Sequence, residues 1–312
     1  MMMSKKVVIT ARNFDMEGER AVQSLKEAGF EVVLVEDSLS KTEEELYEAV
    51  KDADALIVGP EKLSGKLLER LPGLKLISRR GIGIDSIDLK ALERQNIVLT
   101  RTVGLVEGAV AEHVLAYMLY FARQIDKQNA SMKQHRWERM MMGGLKGRTL
   151  GLIGFGGIGK EIAKRAYPFG MNILYYQRHP KKEEGEEYHA SYRTLSELLR
   201  ESDYVSVNLP LTEETKGFIR YEQLLEMKPG AVLINIARGA VVDAYDLARA
   251  LKERRIAGAA VDVFEKEPCT DSPLNDCETA VLTPHTAPYT CENFAAMNDQ
   301  AAKNVIDFLK RT

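Results

Sequence analysis

Cysteine is scarce in this chain of 312 residues: Cys269, Cys277 and Cys291, all late. An odd count without Cys-x-x-Cys spacing argues against a disulfide framework and against a structural zinc site, so no metal is expected. Positive charge is not in excess either. Lys and Arg number 43 against 46 Asp and Glu, a net charge of −3. That leaves no basic footprint for nucleic acid or an anionic membrane. Long hydrophobic runs are missing too. The most apolar helical run, 114–122, falls well short of the about 20 residues that span a bilayer, so it reads as a buried helix. Residues 1–6 lead directly into Val7-Val8-Ile9, without the longer apolar stretch and small-residue cleavage site of a secretory signal. Low-complexity tracts and solenoid-length repeats are absent from the sequence. Little follows the last helical pattern, so no appended regulatory domain is expected. These features together point to a cytoplasmic globular protein.

Its length exceeds the usual size of one domain, which makes two the starting expectation. Hydrophobic residues at 45% and charged residues at 29% supply ordinary cores and surfaces. Apolar strand patterns at 5–10, 31–35, 55–58 and 74–78 alternate with helical patterns. Thr42 with Glu45 has the spacing of a capping box, and Gly29 suits the end of the helix predicted over 18–28. A long helical stretch is predicted over 107–125, continuing through a polar, Met-rich segment to Trp137 and Met142. A second alternating series follows, with strands at 149–153, 173–176, 204–209, 231–236 and 259–263, a second capping box at Thr194 and Glu197, and a last helix over 293–309. Such alternation predicts βαβ units and parallel sheets covered on both faces by helices.

Gly154-Phe155-Gly156-Gly157-Ile158-Gly159 fits the spacing GxGxxG. The pattern is weak alone, but here it follows an apolar strand and opens a helix, the context of a dinucleotide-binding turn. Gly154 would permit the tight turn, Gly156 the approach of a pyrophosphate, and Gly159 close helix–sheet packing. The amides of Gly157 and Ile158 would face the phosphates. A glycine-rich turn without a ligand is the competing reading. After the next strand a carboxylate usually accepts the ribose hydroxyls of NAD. Here stand Gln177, Arg178 and His179, then Lys181 and Lys182. Nothing there repels a 2′-phosphate, so NADP(H) is favoured, with NAD(H) also accommodated. A solvated basic loop is the alternative of near-equal weight.

Three segments place polar groups at the ends of apolar strands: Arg238 after 231–236, Asp262 and Glu267 in the segment that runs from Ala260-Val261 to Pro268, and His285 after Leu282-Thr283-Pro284. In a parallel sheet these ends open on one crevice. An Arg, a Glu and a His beside a nicotinamide suggest carboxylate capture and acid–base work. Each has a bland alternative: Arg238 paired with Asp243, His285 as a satisfied turn histidine, Glu267 as a surface carboxylate. His113, inside an apolar helix, reads as structural. Trp137 and Met140 to Met142 read as packing at a subunit contact.

With these motifs the sequence resembles the D-isomer-specific 2-hydroxyacid dehydrogenases, which include phosphoglycerate dehydrogenase and glyoxylate/hydroxypyruvate reductase. The resemblance covers nearly the whole chain. It includes Arg80-Gly81-Ile82-Gly83-Ile84-Asp85, Ala111-Glu112-His113 and Leu209-Pro210-Leu211-Thr212 besides the segments above. It implies two Rossmann-like or flavodoxin-like α/β domains with parallel sheets and the active site in the cleft between them. Residues 1–101 plus 285–312 would bind substrate. Residues 102–284 would bind the cofactor, with 107–146 as a dimerisation arm and a homodimer as the assembly. Arg238, Glu267 and His285 would be the catalytic set. Amides from Arg80 through Gly81 and Ile82 to Gly83 would hold the carboxylate of a small 2-oxo or 2-hydroxy acid. Leu209, Pro210, Thr215, Ala237, Asp262 and Ala287 would line the cofactor, Asp262 touching the nicotinamide carboxamide or stabilising its charged ring.

Two departures from the family pattern stand out. Phosphoglycerate dehydrogenases often carry an arginine after the strand that here ends at Val58, where this chain has Gly59-Pro60; Lys62 or Arg79 would have to compensate. The segment 101–107 differs from the usual Asn-Thr-Pro entry, and its Glu107 would lie near the cofactor, which charge alone does not explain. Competing functions are formate- or phosphite-type oxidation on the same fold and a dinucleotide-sensing, corepressor-like binding protein. Glu267 weighs against the formate reading, because formate dehydrogenases of the family pair the histidine with glutamine.

Overall fold

Short apolar runs such as Ala55-Leu56-Ile57-Val58 are buried on both faces, as strands inside a doubly covered parallel sheet must be. The computed structural model of the chain describes residues 4–12, 14, 17–180 and 182–311, so Lys181 lies outside the described residues. The chain divides into two units, Met1–Val106 with Tyr289–Thr312, and Glu107–Pro288.

The first unit runs β1 (Lys6–Ile9), α1 (Glu19–Glu27), β2 (Glu31–Leu34), α2 (Glu43–Val50), β3 (Ala55–Val58), α3 (Gly65–Glu69), β4 (Leu76–Arg79), α4 (Leu89–Gln95) and β5 (Val98–Arg101). Its sheet is parallel in the order β2-β1-β3-β4-β5, the flavodoxin-like arrangement. The second unit runs α5 (Glu107–Arg123), α6 (Ile125–Lys133), β6 (Thr149–Ile153), α7 (Gly157–Ala166), β7 (Asn172–Tyr176), α8 (Lys182–Glu187), β8 (Ala190–Tyr192), α9 (Leu195–Glu201), β9 (Tyr204–Val207), α10 (Tyr221–Glu226), β10 (Val232–Asn235), α11 (Ala244–Lys252), β11 (Gly258–Val261) and β12 (Ala280–Leu282). Its seven strands, also parallel, lie in the order β12-β11-β10-β9-β6-β7-β8. The order reverses between β6 and β9, the switch point where doubly wound sheets bind ligands. The expected α/β class with two parallel sheets is borne out.

The last helix, α12 (Cys291–Leu309), returns to the first unit. Phe294, Met297, Ala301, Val305 and Leu309 recur at three- and four-residue spacing and are buried. Ala301, Val305 and Leu309 join Val7, Ile9, Ala21, Leu25 and Leu76 in one core face. Each large apolar side chain buried this way contributes about 1.5–3 kcal/mol. The two predicted capping boxes, Thr42 with Glu45 and Thr194 with Glu197, are present.

Three details differ from the sequence reading. The unit boundaries fall at 106/107 and 288/289 rather than at 101/102 and 284/285. The Thr102 amide donates to the Arg79 carbonyl at 3.2 Å, and its hydroxyl accepts the Gly81 amide at 2.7 Å, holding the chain past β5 to the first sheet. The predicted helix through residue 125 and onward is broken at Gln124, whose φ of 42° is left-handed. Beyond α6 no regular element forms before β6, and Trp137 (76% exposed) and Met141 (99%) stand out from the chain. Among the described residues no helix is long and apolar enough to cross a membrane.

Candidate active site

The glycine turn sits at the switch point, after β6. Gly154 has φ +96°, and a β-carbon there would meet the Asn208 carbonyl oxygen at 2.9 Å and Leu209 Cδ2 at 3.1 Å. Only glycine combines that backbone with that closeness. A β-carbon on Gly159 would strike the Gly154 carbonyl oxygen at 2.5 Å, so the helix start presses on the turn. Gly156, in contrast, faces open space, with nothing within 4 Å of a β-carbon. The first intrahelical bond of α7 runs from the Lys160 amide to Gly156 O at 2.9 Å. The amides of Gly157, Ile158 and Gly159 therefore precede the helix ladder. An open glycine beside such amides fits the diphosphate of a dinucleotide. Thr215 closes the neighbouring turn, donating to Pro210 O at 2.6 Å and accepting the Thr212 amide at 2.7 Å.

Arg238, Asp262 and His285 follow β10, β11 and β12, which are neighbours in the sheet. A β-carbon on Gly239 would overlap Phe264 C at 2.0 Å, so the glycine lets the loop after β11 close over the Arg238 turn. That loop carries Glu267. Its Oε2 lies 2.7 Å from His285 Nδ1, and its Oε1 accepts the Phe264 amide at 2.9 Å. Burial raises the Glu267 pKa. The His285 hydrogen bond and charge, the Phe264 amide and the nearby Arg238 outweigh it and hold the carboxyl below its ordinary range. With Nδ1 directed to Glu267, Nε2 is the ring nitrogen left to exchange a proton with a ligand. Both side chains remain about a third exposed. Arg238 donates from Nη1 to Ala237 O at 2.7 Å, fixing the base of the guanidinium.

His285 adopts φ +55°, unusual for a residue with a β-carbon. Asp262 imposes it. Its carbonyl accepts the His285 amide at 2.7 Å, its Oδ1 the Thr286 amide at 2.8 Å, and its Oδ2 the Ala287 amide at 2.9 Å. Oδ1 also bonds the Thr283 hydroxyl. Asp262 is 1% exposed. Asp262 thus clamps the loop that presents His285. Thr283 also bonds Tyr117 OH and stands 3.5 Å from His113 Nε2, both on α5. If its one proton goes to Asp262, Tyr117 and His113 must both donate to its oxygen. Burial lowers the His113 pKa, the charge of Asp262 opposing it, in keeping with a structural histidine. The sequence reading missed Thr283 and Tyr117; its one usable signal was a hydroxyl two residues before His285.

The 80–83 turn belongs to the first unit, and half of its amides are already bonded. The Arg80 amide donates to Val58 O at 2.9 Å and the Gly81 amide to Thr102 Oγ1. That leaves Ile82 and Gly83 for an anion. The Arg80 side chain turns inward, bonding Asn298 Oδ1 at 3.1 Å and Arg12 O at 2.5 Å, with the Phe294 ring 4.7 Å away. Burial pulls its pKa down to about 10. Arg79 is directed to the carbonyls of Gly83 (2.8 Å) and Arg80 (2.9 Å), so it shapes the turn and does not reach out as a phosphate anchor. Lys62 is exposed. Glu61, also missed, is 2% exposed and bonds the Thr10 hydroxyl between the ends of β1 and β3; burial raises its pKa.

At the end of β7, Gln177 Nε2 donates to His179 O at 3.0 Å, and Arg178 and His179 are exposed. The Thr212 hydrogen bond, the backbone and then the charge of Arg178 lower the pKa of Glu214, so a carboxylate stands near this arginine.

Residues 115–287 match the family model described as "D-isomer specific 2-hydroxyacid dehydrogenase, NAD binding domain". The chain is 40% identical to a glyoxylate reductase of Thermococcus litoralis, over 99% of this chain and 95% of that protein. It is 37% identical to a D-3-phosphoglycerate dehydrogenase of Methanocaldococcus jannaschii, over 94% of this chain and 56% of that longer one. The crystal structure of the TT0316 protein from Thermus thermophilus superposes with a TM-score of 0.89 at 34% identity, covering 98% of this chain and 97% of that one. A family model over more than half the chain and relatives over its whole length agree with the turn and strand-end geometry: the chain belongs to the D-isomer specific 2-hydroxyacid dehydrogenases and is an NAD(P)-dependent oxidoreductase of 2-hydroxy and 2-oxo acids.

Proposed function

We propose that the chain reduces a short, unphosphorylated 2-oxo acid of the glyoxylate or hydroxypyruvate type, with NADPH favoured over NADH, as a cytoplasmic homodimer. The observation that carries this reading is the 2.7 Å His285–Glu267 pair beside Arg238. A bound nicotinamide dinucleotide supplies the hydride. Arg238 forks onto the substrate carboxylate and reaches toward its carbonyl oxygen. His285, as imidazolium, gives the proton on Nε2 to that oxygen. Glu267 accepts from Nδ1 and favours the charged ring. Asp262 and Thr283 hold the loop that aims it.

The family resemblance favours a short acid, because phosphoglycerate dehydrogenases often carry an arginine after the strand that here is β3. Gly59-Pro60 offers no guanidinium, Arg79 is turned to carbonyls, and Glu61 adds a buried carboxyl. The glyoxylate reductase of T. litoralis, matched nearly end to end, supports the short acid. The NADPH preference rests on Gln177 in place of a carboxylate and on Arg178 and His179 exposed beside it. Glu214 tempers it by sharing the field of Arg178.

The test is kcat/KM for glyoxylate, hydroxypyruvate, pyruvate and 3-phosphohydroxypyruvate with each cofactor. Glyoxylate or hydroxypyruvate with NADPH should lead, and Arg178→Ala should weaken NADPH alone. Absence of turnover on every acid would return the chain to the dinucleotide-sensing reading. An NADH preference that Arg178→Ala leaves in place would reduce 177–182 to a solvated basic loop.

A further inference from the structure

The turn that follows β4 carries a cation that the proposed reaction does not use. Arg80 is 7% exposed. Its partners are neutral: the Asn298 side-chain oxygen, the Arg12 carbonyl, and the rings of Phe294 at 4.7 Å and Phe14 at 6.0 Å. Among the described residues no carboxylate forms an ion pair with it. Of the charges that reach it, Glu61 favours the guanidinium, and Arg79 and Arg12 oppose it. Glu61 is itself buried, and burial raises its pKa. Burial pulls the pKa of Arg80 down to about 10, which leaves it charged at neutral pH. A guanidinium kept buried without a carboxylate is costly, and an incoming anion would offset that cost. The same turn offers the anion a place: the amides of Ile82 and Gly83 are the two left for it.

We propose that Arg80 is a fixed, buried charge that anchors the carboxylate of the 2-oxo acid on the Ile82 and Gly83 amides, and so selects anionic over neutral carbonyl substrates. The inference rests on the reading that these amides receive the substrate carboxylate. A short acid has little surface to bind, so its one charge must supply most of its affinity. At an effective dielectric near 20, a charge roughly 10 Å away still alters the binding of an anion by about tenfold. The carboxylate does not change during hydride transfer, so Arg80 acts alike on bound substrate and transition state. Its contribution therefore belongs in KM and not in kcat.

The experiment measures kcat and KM for glyoxylate, the inhibition constant of oxamate and the NADPH dissociation constant. The wild type is compared with Arg80→Gln, Arg80→Met and Arg80→Lys, with melting curves to verify folding. Gln keeps hydrogen-bond donors without the charge, Met keeps the packing against the rings, and Lys keeps the charge. Arg80→Gln and Arg80→Met should raise KM and the oxamate constant together by about 5–20-fold. Their kcat should change by less than about 2-fold, and NADPH binding, proposed for the glycine turn of the other unit, should stay as it is. Arg80→Lys should recover most of the loss. The loss should persist at high salt, because a buried charge is screened less than an exposed one. Wild-type KM and oxamate constants in the folded neutral variants overturn the proposal. An Arg80→Lys as impaired as Arg80→Gln, or a kcat that falls as far as KM rises, also overturns it and makes Arg80 a packing residue. A wild type that neither reduces glyoxylate nor binds oxamate is a different failure, that of the 2-oxo acid reading beneath it.

Discussion

Glu267 shows two opposed influences at one residue. Burial raises its pKa, and the His285 bond and charge, the Phe264 amide and Arg238 lower it further than burial raises it. The sign for catalysis follows. Reduction needs the imidazolium, and a carboxylate 2.7 Å from Nδ1 favours that form. Reduction takes up a proton, so its rate should fall as pH rises. Glu267→Gln removes the charge that favours proton donation from Nε2, so the falling limb should move to lower pH. For stability the sign is that of a depressed carboxyl: its contribution is present above the ordinary carboxylate pKa and is lost as pH falls through the folded value. His285→Ala should lower kcat by roughly 10²–10⁴ and leave the dinucleotide dissociation constant in place. A limb that Glu267→Gln does not move, measured with hydride transfer rate-limiting, would strip Glu267 of this role. Residue identities were readable here because Arg238, Glu267 and His285 each follow an apolar run. Side-chain directions were not. Arg79 and Arg80 look alike in sequence as cations before a glycine, and only packing turns one to carbonyls and the other onto Phe294.

Between elements, the link from α5 to the catalytic loop runs through Thr283, 166 residues from Tyr117 and 170 from His113. Separations of that size leave no pattern in a local reading, so the link was invisible until the sheet order was known. Very short strands escaped for a related reason: β8 and β12 have three residues each, too few to display alternation. The glycine turn, by contrast, was legible because its whole context spans one strand, one turn and one helix start. Thr283→Val tests the link. The substitution keeps shape but takes one of two donors from Asp262 Oδ1 and leaves the buried Tyr117 OH without its partner, at about 1–3 kcal/mol for a buried group left unpaired. The expected outcome is a lower kcat, with the dinucleotide dissociation constant unchanged and a lower Tm. Thr283→Ser, which restores the hydroxyl, should recover kcat. A Thr283→Val enzyme with wild-type kcat and pH profile would show that His285 is held by the backbone amides on Asp262 alone.

At the scale of the whole molecule, alternation of strand and helix was enough to predict two parallel sheets, because each βαβ crossover is closed locally. What the chain does with its arm is not a local matter. The helical pattern past residue 125 was expected to continue; a left-handed Gln124 breaks it, α6 resumes at Ile125, and 134–148 carries no regular element. Ile125, Met132, Trp137 and Met141 are 66%, 52%, 76% and 99% exposed. So much apolar surface in one short stretch is uncommon on a monomer and marks an interaction site. The proposed homodimer would cover it, since a two-fold interface buries the same segment twice. The single tryptophan of the chain lies in this stretch, which makes the association directly observable. Light scattering at micromolar concentration should give twice the chain mass, and dilution should shift Trp137 emission to the red as the interface opens. Trp137→Glu with Met141→Glu should give a folded monomer, because two buried unpaired charges cost more than a rim contact returns. A wild type that stays monomeric at micromolar concentration, with tryptophan emission already that of full solvent exposure, would leave the arm as exposed surface and remove the homodimer from this account.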